Sequence, residues 1–502
     1  MNSSVLSRFV ECSIRFPDNP AIFVNGRSYS YDELNRLCSS VRAILNAHQV
    51  KRGDRIGIFT EDDIFTYASV LGILSLGACY VPLNHDNPVE RNRTIIADAG
   101  IELLLYSEKE DEAREVSSGS QCQPVNNRVA PSLGKLAPED QVHGDLCYLL
   151  FTSGTTGKPK GVPIYHDNLS AFLDMMLETG RYDFNPNDRF LQMFELTFDL
   201  SVFSFLVPLS VGASFYPIGR NRMAYLEVAD ILEAREITVA LMVPSVINYL
   251  KPYFAEMNLP KMRYSLFCGE ALYHETLYGW ANCVPDAKIE NLYGPTEATI
   301  FCLRYEWQRG EQPHSDGKGI VPIGRPMEGM DAFKLSDGGL DEEGELCLSG
   351  AQVTHGYWNN PAKTAEAFGT TKDGRKFYRT GDLCKLDRAR NFLYLGRIDN
   401  QVKIDGRRIE LEEIEFHARV FCQDKQVVAT VKRSEGGSHY ILLFVETEND
   451  LRRGLEEYLR KQLPDYMIPK EMLAVSRFPL NSNGKIDRKA LLQQHMQAVT
   501  KI

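Results

Sequence analysis

Tyr148-Leu-Leu-Phe-Thr-Ser-Gly-Thr-Thr-Gly-Lys-Pro-Lys-Gly-Val162 runs from an apolar, strand-like segment straight into a loop of small hydroxyl residues, three glycines and two lysines. Such a loop is suited to phosphate. Thr152, Ser153, Thr155 and Thr156 offer hydroxyl donors, Gly154, Gly157 and Gly161 let backbone N–H groups come close to an anion, and Lys158 and Lys160 add positive charge. The spacing is not that of the ordinary nucleotide P-loop, which places four residues between its first Gly and a Gly-Lys-Ser/Thr run. Here only Thr155 and Thr156 separate Gly154 from Gly157, and Pro159 follows Lys158.

A second cluster, Asn291-Leu-Tyr-Gly-Pro-Thr-Glu-Ala-Thr299, brings an aromatic ring, a tight turn, a hydroxyl and a carboxylate together. Tyr293 suits stacking on adenine, Thr296 a phosphate oxygen, and Glu297 the Mg²⁺ that accompanies ATP. A Gly-Pro turn followed by a helix cap is the bland reading of the same residues. Farther along stand Tyr378-Arg-Thr-Gly-Asp-Leu383, whose Asp382 suits the two hydroxyls of a ribose, and Gly396-Arg-Ile-Asp-Asn-Gln-Val-Lys-Ile-Asp-Gly-Arg-Arg-Ile-Glu-Leu-Glu-Glu-Ile-Glu415. Near the C-terminus, Phe478-Pro-Leu-Asn-Ser-Asn-Gly-Lys-Ile-Asp487 presents Lys485 on an Asn-Gly turn.

Composition bounds what surrounds these motifs. A chain of 502 residues is too long for one ordinary core, and its length suggests about three domains or subdomains. Hydrophobic residues at 43% and charged residues at 25% are ordinary for a globular protein. No apolar run approaches the roughly 18 residues of a membrane span, so no membrane insertion is expected. The first residues carry no basic head and long apolar stretch, so a cytoplasmic protein without a secretory signal is expected. Eleven scattered cysteines without a CxxC pair fit buried thiols better than disulfides or a zinc site. The net charge of −11 argues against nucleic acid as a general partner. That charge is uneven, about −13 before Gln401 and +2 after it, which predicts a domain boundary near residue 400.

Upstream of the boundary, a helical pattern over Thr66 to Leu76 followed by Gly77-Ala-Cys-Tyr-Val-Pro82, and the apolar run Val239-Ala-Leu-Met-Val-Pro244, predict α/β layers with largely parallel sheets. The last hundred residues predict a small α+β unit from Gln426–Val431, Tyr440–Val445 and a helix over Asp450–Gln462.

Taken in order, these motifs resemble those of the adenylate-forming superfamily of acyl-CoA synthetases, luciferases and peptide-synthetase adenylation domains. Tyr29-Ser-Tyr-Asp-Glu-Leu34, Ile323-Gly-Arg-Pro326 and Gly344-Glu-Leu-Cys-Leu-Ser-Gly350 extend the likeness over essentially the whole chain. The resemblance implies a large N-terminal core (residues 1–398) of α/β layers with a distorted β-barrel, and a small mobile α+β lid (residues 399–502) hinged at Asp399. It implies a carboxylate attacking the α-phosphate of ATP to give an acyl-adenylate, then displacement of AMP by a thiol. Lys485, Glu297 and Thr155 would be catalytic, with Mg²⁺ at Glu297. ATP would meet Thr152, Ser153, Gly154, Thr156, Gly157, Lys158, Gly269, Glu270, Asn291, Tyr293, Gly294, Thr296, Asp382 and Arg397. In the second step the face from Lys403 to Glu410 would turn toward a pantetheine tunnel.

In the amino-acid-activating branch, the acid of a Phe-Asp-x-Ser stretch pairs with the substrate ammonium, and Asp199 of Thr197-Phe-Asp-Leu-Ser201 matches it. A helix-capping acid is the structural alternative. The branch's specificity positions fall on Asp199, Leu200, Phe203, Leu241, Leu266, Cys268, Leu292, Ile300 and Phe301, a crowded apolar set that favours a compact amino acid. Ser265-Leu-Phe-Cys-Gly-Glu270 looks like the D-alanine:D-alanyl carrier protein ligases, so D-alanine is the favoured substrate and a separate phosphopantetheinylated carrier protein the expected partner. Leu292 and Phe301 are bulkier than that subfamily's pattern. A free-standing enzyme of a peptide pathway, activating L-proline or another compact apolar residue, is the alternative. An acyl-CoA synthetase has no use for Asp199, and a non-catalytic scaffold no need of Lys485 and Glu297.

Overall fold

The computed structural model describes residues 5–128, 130–132, 134–137, 145–154, 157–219, 224–310, 319–335, 342–423, 425–433, 439–448, 451–479 and 486–499. Lys485, Thr155 and Thr156 lie outside the described residues.

Two large sheets carry the upstream part. The first has nine strands, of which six run parallel: Pro20–Val24, Ser214–Pro217, Arg189–Gln192, Val239–Met242, Tyr264–Phe267 and Lys288–Tyr293. The second has six, with Gln123–Asn126, Leu103–Tyr106, Arg55–Phe59, Cys79–Leu83 and Leu146–Thr152 parallel. Their near-continuous apolar strands are what sheets covered on both faces require. The helices Ile64–Leu74 and Leu200–Val211 are apolar on all sides and almost wholly buried, as helices enclosed in a core must be. Tyr31 ties the second of these to the rest, its hydroxyl donating to the carbonyls of Pro208 (3.1 Å) and Ala213 (2.7 Å). Among the described residues, no helix is long and apolar enough to cross a membrane.

The predicted alternation of helix and strand is present, with shifted limits. The helix expected over Thr66 to Leu76 is Ile64–Leu74, and the strand after it, Cys79–Leu83, holds Pro82. The run at Val239 ends in Pro244 because that proline opens the helix Pro244–Leu250, a position where its missing N–H costs nothing.

A third sheet of five strands, Met330–Leu335, Gly344–Gly350, Lys376–Leu386, Phe368–Thr370 and Phe392–Arg397, is antiparallel and forms the half-barrel. Downstream, Gln401–Ile404 and Arg407–Glu410 pair as a two-stranded hairpin. Its turn residues, Asp405 and Gly406, have φ of 50° and 75°, the left-handed pair a two-residue Asp-Gly hairpin needs. The helix Leu411–Cys422 follows, then a three-stranded sheet of Val427–Arg433, His439–Glu446 and Glu471–Val475 with the helix Arg452–Arg460. A separate apolar cluster built from Ile409, Ile414, Leu443, Leu455 and Met467 holds this part together.

Candidate active site

In parallel sheets the crevice beyond the carboxyl ends of the strands is the natural place for a ligand. Here both large sheets open onto the same crevice. Thr152 ends one strand, Cys268 and Gly269 follow another, and Gly294 follows a third, and all four line one cavity. A neighbouring cavity is lined by Glu270, Asn291 and Tyr293, and Lys403 borders both.

The phosphate-type loop departs from the strand-to-helix arrangement of ordinary nucleotide loops. It joins two antiparallel strands, Leu146–Thr152 and Lys160–Tyr165, with Thr152 opposite Lys160. A Cβ on Gly154 would collide with the Lys158 carbonyl, so only glycine closes this turn. The Thr152 hydroxyl reaches the Lys160 carbonyl at 3.4 Å, Lys158 is exposed, and the Phe416 ring covers Gly157.

What fills this end of the cavity comes from far along the chain. The Ser153 hydroxyl donates to the Arg408 carbonyl at 2.8 Å and accepts from the Glu410 N–H at 3.2 Å. The Gly154 N–H donates to Glu413 at 2.9 Å, and Arg91 grips the other oxygen of Glu413 at 2.7 Å. Glu297 is fully buried, with Arg408 at 2.9 and 3.1 Å, the Tyr357 hydroxyl at 2.8 Å and Lys160 at 3.5 Å. Burial pushes the Glu297 carboxyl up, but the Arg408 guanidinium and Lys160 ammonium outweigh it and hold the group well below the usual carboxylate range. Burial likewise draws the Lys160 ammonium down to about 8.

Asp382 accepts from the Tyr293 hydroxyl and, at 2.9 Å, from Arg397. Arg397 also pairs with Asp399 at 2.6 Å, beside the start of the hairpin. Glu270 accepts from the Ser245 N–H and from the Gly406 N–H, both at 2.9 Å, so the hairpin tip is fixed to the same crevice. Asn291 donates to the carbonyls of Val321 (3.2 Å) and Pro322 (2.9 Å). Tyr293 therefore offers its ring rather than a free hydroxyl, and Lys403 lies 5.6 Å from that ring.

Asp199 lines the same cavity as Thr152 and Gly294, with Leu200, Cys268 and Thr296. It stands at the N-cap position of Leu200–Val211 yet makes no side-chain capping hydrogen bond. Desolvation pushes its carboxyl up to about 6, against a hydrogen bond from Thr296. Phe203, Leu241, Leu266, Leu292, Ile300 and Phe301 are all buried in the core and do not line the cavity. The rings of Phe203 and Phe301 lie 5.7 Å apart, and Phe301 meets Phe172 edge-on at 5.1 Å.

Sequence reasoning missed Arg91, Arg408 and Glu413 as site residues. Arg408 and Glu413 stand in a stretch that the motifs did single out. Arg91 has no local signal, because its partner lies 322 residues away.

A model of the AMP-binding enzymes matches residues 9–358. Zwittermicin A synthase ZmaJ of Bacillus cereus is 33% identical over 508 residues, covering 98% of this chain and 95% of ZmaJ. Tyrocidine synthase 3 of Brevibacillus parabrevis is 31% identical over 98% of this chain, which spans only 8% of that protein. Among solved structures, the Vibrio cholerae adenylation domain AlmE in complex with glycyl-adenosine-5'-phosphate is 27% identical with a TM-score of 0.84, covering 99% of this chain and 98% of AlmE. The chain belongs to the AMP-binding enzymes, the adenylate-forming superfamily, and is close to the adenylation domains of nonribosomal peptide synthetases.

Proposed function

We propose that the protein activates a small amino acid, D-alanine being favoured, as its aminoacyl-AMP and passes it to the phosphopantetheine thiol of a separate carrier protein. The observation that carries the amino-acid reading is Asp199, a desolvated carboxyl lining the cavity without a salt-bridge partner among the described residues. An incoming ammonium supplies that partner. AlmE, whose complex holds glycyl-adenosine-5'-phosphate, is a relative consistent with a small substrate.

In this reading the substrate carboxylate attacks the α-phosphorus of ATP, the bond to the β-phosphate breaks, and pyrophosphate leaves. The pantetheine thiol then attacks the acyl carbon and AMP leaves. Glu297 fits a divalent cation, since the guanidinium of Arg408 already stands in for one on its carboxylate. When bound, Mg²⁺ supplies charge neutralisation to the phosphates. Thr155 and Lys485 are assigned to the first step, Asp382 and Tyr293 to the nucleoside, and Asp399 to a hinge between residues 1–398 and 399–502. A cytoplasmic location accompanies this reading.

The test is ATP–pyrophosphate exchange with glycine, D- and L-alanine, L-proline, acetate and benzoate. Exchange with D-alanine above the others is expected. Best exchange with a compact L-amino acid replaces D-alanine by the peptide-pathway alternative. Exchange with acetate or benzoate alone sinks the amino-acid reading.

A further inference from the structure

Thr299 and Ile300 are consecutive, fully buried and β-branched, and both adopt left-handed backbone, with φ of 54° and 75°. A branched Cβ disfavours that region, and strain of this kind persists only where the surroundings over-determine it. The Thr299 hydroxyl donates to the Gln352 carbonyl at 2.6 Å, and the Thr299 N–H donates to the Thr296 carbonyl at 3.1 Å. The Phe301 N–H donates to the Thr299 carbonyl at 3.0 Å, and the Cys302 N–H to the Tyr293 carbonyl at 2.8 Å, which closes residues 293–302 into one loop. From the segment that supplies Gln352, the Thr354 N–H also holds the Glu297 carbonyl, at 2.9 Å. Gly294, on the cavity wall, packs onto the strained pair: a Cβ there would collide with the Phe301 backbone and lie 2.8 Å from the Ile300 carbonyl oxygen. Of these hydrogen bonds only the one to Gln352 comes from a side chain.

We infer that Thr299 is a positioning residue for the amino-acid end of the cavity: its hydroxyl, anchored on Gln352, keeps the strained pair in place and thereby holds Thr296 against Asp199. The inference rests on the amino-acid reading above. Thr296 lines the cavity three residues before Thr299 and hydrogen-bonds Asp199. Backbone strain favours relaxation of the pair to ordinary φ, and the buried hydroxyl bond opposes it. Without that bond the peptide units on either side of Thr299 turn, and Thr296 is drawn away from Asp199. A residue that only satisfied the Gln352 carbonyl would affect stability and leave the chemistry of folded molecules unchanged.

The test compares Thr299→Gly, Thr299→Val and Thr299→Ser in the full chain by ATP–pyrophosphate exchange, with folding checked by circular dichroism. The probe is the amino acid among glycine, D- and L-alanine and L-proline that the wild type exchanges best. Glycine accepts left-handed backbone without steric cost, so Thr299→Gly is expected to fold. Its kcat/KM for the amino acid should fall roughly 10- to 100-fold, the scale of a misplacement of about an ångström. The loss should lie mainly in the amino-acid KM, with the KM for ATP changed less than about two-fold. The pH limb of Asp199, near 6 in the wild type, should move up, since the Thr296 hydrogen bond favours the ionised form. Glu297 and Lys403, the charged groups facing Asp199, are the same in every variant. Thr299→Val should show the same losses, and Thr299→Ser, which keeps the hydroxyl, should retain wild-type kinetics. A folded Thr299→Gly or Thr299→Val with wild-type kcat/KM and an unmoved limb overturns the inference, as does a Thr299→Ser variant as impaired as Thr299→Val. Where Thr299→Val does not fold, Thr299→Gly decides; failure of both to fold assigns Thr299 a structural role and overturns the inference too. Wild-type exchange with acetate or benzoate alone defeats the amino-acid reading and this inference with it, whereas amino-acid exchange that Thr299→Gly leaves intact defeats only this inference.

Discussion

Glu297 and Asp199 are carboxylates of neighbouring parts of one crevice, pushed in opposite directions. Glu297 has two cations and a tyrosine hydroxyl, and its carboxyl lies well below the usual range. Asp199 has a threonine hydroxyl but no salt-bridge partner among the described residues, and its carboxyl rises to about 6. Burial alone does not decide the charge of a group; its partners do. Glu297 is a completed ion pair whose cations come from the chain itself, while Asp199 has a hydrogen bond and only the more remote charge of Lys403.

The largest expected effect comes from removing the completed pair. Glu297→Gln leaves Arg408 and Lys160 with an uncompensated buried charge, which costs about 3–5 kcal/mol of stability. Chemical denaturation measures that loss, and an unchanged midpoint would break the contrast. Asp199→Asn is expected to lower kcat/KM for the amino acid by roughly 10- to 150-fold, the worth of about 1.5–3 kcal/mol for a hydrogen bond to a charged group. Its stability should not fall at pH 7, because the folded state there carries an ionised carboxyl that burial disfavours.

A pH profile sharpens the same point. Asp199 has a raised value, so the ionised form that the proposed reading pairs with an ammonium is lost as pH falls through about 6. Accordingly kcat/KM for the amino acid should drop about ten-fold per unit below that value, and the limb should vanish in Asp199→Asn. The smallest effect is in chirality. Cys268→Ala removes one heavy atom from the cavity wall, and its gain toward L-alanine relative to D-alanine is expected to be about 10-fold, at the low end of what one atom achieves. No change in the ratio would show that Cys268 does not face the substrate α-carbon.

Much of this crevice was legible because its parts are local. The phosphate-type loop, the Tyr293 to Glu297 turn and Asp382 each pack their chemistry into a few residues, and the alternation of helix and apolar strand points to the layered sheets. The strand direction at Lys160–Tyr165 was less so, since an apolar run has the same pattern in either direction. The amino-acid pocket expected from the sequence shows the other limit. Sequence expects Phe203 and Phe301 near the substrate but does not reveal that their rings meet in the core and do not line the cavity. Arg91 was out of reach for a simpler reason, that nothing in its neighbourhood announces a partner 322 residues away.

Cys268 carries a last consequence. An activated acyl group is reactive toward any thiolate, and this sulfur borders the cavity where it would form. Burial pushes the Cys268 thiol up to about 12, so at neutral pH it stays protonated and a poor nucleophile. All eleven cysteines are buried and free. In the proposed reaction a sulfur beside the activated acyl group is thereby spared from acylation, and chemoselectivity toward a carrier thiol would follow from solvation rather than from distance.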